Sequence, residues 1–189
     1  MIRLLGLLAL ALLMPVGGAA AVSFTLSARE KSEALAVGQR SVTREGFDAE
    51  WRIVNGAGES VTVITPFHRL VLAARHATFK NERLKPGDPD KLLKEQGNRL
   101  VLWVSLHGDR EDFARYYEPK LIAGDLEIAP AFVQNERTAV RTAAGVFRAH
   151  CVYGFPTRAL VGKSRVALVI RDADGRDVGR FTLDLASMR

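Results

Sequence analysis

Three hydrophobic rhythms succeed one another along the chain. Residues 4–22 are apolar and carry no charge. Between there and about residue 99, helical stretches with apolar positions three and four residues apart flank one pair of strand-like segments. From Leu100 onward they alternate, or run unbroken for a few residues, as strands do.

The helical part carries its own punctuation. Ser27-Ala28-Arg29-Glu30 is a capping box, in which the Ser hydroxyl accepts from the N3 amide and Glu30 reaches back. It predicts a helix over 28–37, stopped by Gly38. Segments 50–54 and 59–64 read as two strands joined by Asn55-Gly56-Ala57-Gly58, residues that tolerate positive φ. Thr65-Pro66 is an N-cap followed by proline at the first helical position. Phe67, Leu70, Val71, Ala74 and Ala77 then form one apolar stripe of a helix ending near Lys80. Asp88-Pro89 repeats the start signal, Leu92 and Leu93 point inward, and Gly97 closes a short helix.

The second half predicts strands. Leu100 to Leu106 is apolar on both faces, the pattern of a central strand covered on both sides. Over 146–155, Phe147, Ala149, Cys151, Tyr153 and Phe155 share one face, with Arg148 and His150 on the other. Val166, Leu168 and Ile170 alternate with Arg165 and Arg171; Phe181, Leu183 and Leu185 alternate with Arg180, Thr182 and Asp184. Asp172-Ala173-Asp174-Gly175 supplies a hairpin turn between them. Shorter strands are expected at 114–117 and 131–134. The expected class is α+β: a strand-rich antiparallel sheet or β-sandwich-like domain, with two to three helices mostly in the N-terminal half.

The opening segment reads as an address. Arg3, the apolar run, Pro15, Gly17-Gly18 and Ala19-Ala20-Ala21 have the charged–apolar–small layout of a secretory signal peptide, with cleavage expected after Ala21. The competing reading is an uncleaved anchor; residues 4–22 barely span a bilayer, and Pro15 with the glycine pair breaks the helix. Residues 22–189 then form one exported domain, periplasmic or secreted, with no membrane span after signal cleavage. Cys151, the sole cysteine, has no internal partner in an oxidising compartment. Its place on an apolar strand face predicts burial and an inert thiol.

Composition narrows the class further. A chain that is 48% hydrophobic and 25% charged is globular, which excludes disordered and collagen-like types. One cysteine excludes a disulfide scaffold and a multi-cysteine metal site. The net charge of +6 is concentrated late: from Arg137 to Arg180 there are nine basic side chains and three acidic ones. Arg148, Arg165, Arg171 and Arg180 fall on outward strand positions and are the candidate binding residues, since guanidinium groups match carboxylate, phosphate or sulfate. The competing reading is a solvated surface whose Asp neighbours neutralise the field.

Catalytic and metal patterns are weaker. His68 and His76 stand eight residues apart, about 12 Å along a helix, too far to share an ion. His107 and His150 lie on different predicted strands. Asp172-x-Asp174-Gly175 looks like the start of a calcium loop but is followed by Arg176 and lacks the later oxygen ligands. No nucleophile elbow or dinucleotide fingerprint occurs. Gly162-Lys163-Ser164 looks like the tail of a phosphate loop, yet Thr157 stands where that loop needs glycine. The loop His107-Gly108-Asp109-Arg110-Glu111-Asp112 groups one imidazole with three carboxylates, which could do acid–base work if burial split their pKa values. No catalytic residue, metal ligand or cofactor is assigned. The expected function is a non-catalytic exported binding or accessory domain of a bacterial envelope. Its expected partner is an envelope protein or an anionic polymer, not nucleic acid, met through a basic sheet face. The alternative is a hydrolase-type enzyme built on the loop from His107 to Asp112.

Overall fold

The structure, a computed structural model, describes residues 24–161 and 165–189. The expected signal segment at 1–21 and Gly162-Lys163-Ser164 lie outside the described residues.

Helix α1 (Ala28–Arg40) opens on the expected capping box: Ser27 Oγ accepts from the Glu30 amide at 3.3 Å, and the Ser27 amide donates to Glu30 Oε2 at 2.7 Å. It runs through Gly38 instead of stopping there. A Cβ at Gly38 would lie 2.4 Å from the Val71 carbonyl oxygen, so this glycine serves a close helix crossing and not a C-cap. Strands β1 (Arg52–Val54) and β2 (Ser60–Ile64) form the expected hairpin, with Gly58 at φ 76°. Helix α2 (Pro66–Phe79) starts where Thr65 Oγ1 accepts from the His68 amide at 3.0 Å. Helix α3 (Asp88–Gln96) comes next and ends at Gly97.

The remaining elements are strands: β3 (Arg99–Gly108), β4 (Glu118–Ala123), β5 (Leu126–Ile128), β6 (Phe132–Gln134), β7 (Val140–Arg141), β8 (Phe147–Pro156), β9 (Arg165–Arg171) and β10 (Asp177–Asp184). The strand expected at 114–117 is instead a turn. Phe113 folds back over Gly108, where a Cβ would sit 2.3 Å from its ring, and Ala114 is buried without pairing.

Two antiparallel sheets result. One has the order β1-β2-β3-β8-β6, with β7 beside β8; the other has the order β10-β9-β4-β5. Their inner faces meet in one core. The larger sheet contributes Leu100, Leu102, Leu106, Tyr153 and Phe155; the smaller contributes Leu168, Ile170, Phe181 and Leu183; α2 adds Phe67, Leu70 and Val71. At Gly179 a Cβ would come within 3.8 Å of Leu106 across the gap between sheets. The α+β class with three described helices in the N-terminal half is therefore as expected. Among the described residues, no helix is long and apolar enough to cross a membrane.

One expectation about this architecture is corrected. β3 does lie centrally, between β2 and β8. Among the described residues nothing packs over its second face: Leu100, Leu102, Val104 and Leu106 are buried, while Trp103 on the opposite face is 43% exposed. An apolar run does not report whether anything packs on it, so the open face was invisible to pattern.

Candidate functional site

Antiparallel pairing brings opposed residues to one side of the sheet, so the register defines the open face row by row. One row reads Arg52, Thr62, Trp103, Val152 and Gln134 across five strands. The next reads Ser60, Ser105 and His150, and beyond it His107 stands opposite Arg148. On the other side of Trp103 the row is Ile64, Val101, Gly154 and Phe132. Phe132 lies down on Gly154, where a Cβ would be 2.0 Å from the ring.

Trp103 thus stands between two depressions. The first, about 480 Å³, is floored by Ser60, Thr62 and Ser105 and rimmed by Arg52, His107, Arg148 and His150. The second, about 300 Å³, is lined by Ile64, Val101 and Phe132, with Arg69 and Arg99 at its edge. Asp48 lines the first and Glu95 the second, so four arginines face two carboxylates. Among the described residues, the side chains of Arg52, Arg69 and Arg148 have no hydrogen-bond or ion-pair partner, and the Trp103 indole N–H has none. Arg99 is held: it donates to the Gln96 and Glu95 carbonyls at 3.0 and 3.1 Å and lies 5.4 Å from the Phe132 ring centre. Glu136, close by, accepts from the His150 amide at 2.5 Å.

The four arginines read from the sequence are not one surface. Arg148 belongs to this open face, whereas Arg165, Arg171 and Arg180 lie on the outer face of the smaller sheet. There each meets a carboxylate: Arg165 with Asp184 at 3.7 Å, Arg171 with Asp177 at 3.0 Å and Glu127 at 3.9 Å, and Arg180 with Asp177 at 4.0 Å. Lys120 adds a pair with Glu127 at 2.5 Å, and Lys120 with Arg171 holds the Glu127 carboxyl below its ordinary range. Alternation reports in from out, but the chain changes sheets between β8 and β9, and the period carries no trace of that.

The loop after β3 does not assemble the expected acid–base group. His107 lines the first depression, while Asp109, Glu111 and Asp112 are exposed and line neither depression. Asp112 pairs instead with Arg110 at 3.3 Å. The register does bring His107 and His150 to the same face as diagonal neighbours, a closeness that only strand pairing could reveal. Asp172 and Asp174 accept from Arg176 at 2.8 and 2.6 Å in a plain hairpin turn. The Arg176 amide and guanidinium hold the Asp172 carboxyl below its ordinary range. Cys151 is buried and free, and burial pushes its thiol up, away from the reactive thiolate. Among the described residues, no three His, Cys, Asp or Glu side chains are grouped to hold a metal ion. Trp103, Arg52 and Arg69 are the residues that sequence reasoning missed; the polar Ser105, two positions from Trp103 and so on the same strand face, was the one available signal.

No protein-family model and no curated protein matches this chain.

Proposed function

We propose that the protein is a non-catalytic, exported binding domain of the bacterial envelope that receives an anionic partner on the open face of its larger sheet. The apolar opening segment supports export. The observation that carries the binding site is a contrast between the sheets. Arg52 and Arg148 line the depression that Trp103 also lines and have no partner among the described residues, while Arg165, Arg171 and Arg180 each face a carboxylate. An unpaired guanidinium keeps its charge and its fork of donors for a ligand; a paired one has already committed them.

The test compares two sets of substitutions on an immobilised polyanion. Arg52→Ser with Arg148→Ser is expected to elute at clearly lower salt than the parent protein. Arg165→Ser, Arg171→Ser and Arg180→Ser together remove one more charge and are expected to shift elution less. If the triple variant shifts as much as the double, retention tracks net charge and the open face is not the site.

A further inference from the structure

We infer that the anionic partner is an acidic polysaccharide, laid along β3 with one sugar ring stacked on Trp103. The inference rests on the anionic-partner proposal and names its ligand class.

Four features of the face select a glycan. First, over Val101–Ser105 β3 is paired with β2 and β8 on its two sides, so its main chain is engaged there and the face offers side chains. A peptide lying there would leave its own amides and carbonyls unpaired; peptides join sheets at edges. Second, the floor beside the indole is made of Ser60, Thr62 and Ser105, hydroxyls that donate and accept as sugar hydroxyls do. Third, Trp103 presents exposed aromatic surface and an indole N–H with no partner among the described residues. The C–H face of a pyranose packs flat on such a ring. Fourth, cations with no partner among the described residues stand on both sides of it, Arg148 in the first depression and Arg69 in the second. The open strip from Val101 to His107 covers about 20 Å at the usual strand rise, which suits a repeated charge and not a single anion. A single-stranded nucleic acid would call for a series of stacking rings. Here Phe132 is folded down on Gly154 instead of standing clear.

The experiment titrates the full chain with oligogalacturonate, with polyglutamate of matched charge, with a neutral cello-oligosaccharide and with oligothymidylate, monitored by calorimetry and tryptophan fluorescence. Trp51 is buried, so a fluorescence change on binding reports Trp103. Oligogalacturonate is expected to bind best, to weaken with salt and to perturb the emission. Trp103→Leu keeps apolar bulk on the sheet and is expected to bind it about tenfold more weakly, while Trp103→Phe, which keeps a flat ring, loses less. Equal or tighter binding of polyglutamate or oligothymidylate would overturn the glycan while leaving the anionic site standing. Equal binding of the neutral sugar would overturn the anionic site. Binding by none of the four would overturn both, and undiminished binding by a folded Trp103→Leu variant would remove the stacking role.

Discussion

His68 shows how a single residue ties stability to pH. Its ring is fully buried in α2 and stacked on Trp51, with centres 4.1 Å apart and planes 9° apart. Nδ1 lies 2.9 Å from the Val63 carbonyl oxygen. A carbonyl accepts, so Nδ1 carries the proton and Nε2 is left buried with no partner among the described residues. Burial pushes the pKa below the ordinary 6.5, against the opposing pull of the Val63 carbonyl, Asp48 and Glu50. The unfolded chain therefore binds a proton that the native state resists. Stability from this group is complete above about pH 6.5 and is lost as pH falls from there toward the folded pKa. His68→Phe keeps a ring on Trp51 and gives up the hydrogen bond. It is expected to be less stable near neutrality but to lose less further stability on acidification, as urea midpoints at about pH 7.5 and about pH 5.5 would show. An unchanged acid slope would assign the effect to another group. At this scale pattern placed His68 on a helix; its stacking and orphaned nitrogen come from residues up to 17 positions away and could not be read locally.

Elements were legible where the signal is local. The capping box of α1, the Thr65-Pro66 start of α2 and the Asn55 to Gly58 turn each depend on a few neighbouring residues, and each formed as read. Gly38 misleads because the same residue suits a helix end and a close crossing. Its Cβ would meet a main-chain oxygen of α2, which cannot swing aside, and Ala74 Cβ at 2.7 Å. Gly38→Ala is accordingly expected to lower stability by about 1–3 kcal/mol, outweighing the gain in helix propensity of about 1 kcal/mol. A stability increase in thermal melts would mean that α1 and α2 do not approach this closely. β4 escapes pattern because Pro119 interrupts it, and its place is secured by pairing with β9 and β5.

Over the whole molecule, the two sheets share one core and divide the surface chemistry. The smaller sheet shows a neutralised mosaic, and the larger shows an open strip where each depression has an arginine without a partner among the described residues. Gly179 lies where the sheets face each other, and its φ is not in the left-handed region. An added Cβ would make ordinary contacts with Ile170 at 3.5 Å and Leu106 at 3.8 Å. Gly179→Ala is thus expected to raise stability by about 0.4–1 kcal/mol, because the unfolded chain loses freedom while the sandwich accepts the methyl. A fall in the urea midpoint would show that the sheets are packed more tightly there than this spacing implies.

By itself the sequence determined which residues turn inward on β8, β9 and β10, where most helices begin, and that the class is α+β. Those properties repeat with a period of two or three to four residues, or sit in a few adjacent positions, so local chemistry decides them. Only the tertiary structure decided which sheet each arginine joined, which of them met a carboxylate, and that one face of β3 is left open among the described residues. Each of these depends on contacts between segments far apart in the chain, and a hydrophobic period is the same whether or not another layer arrives to cover it.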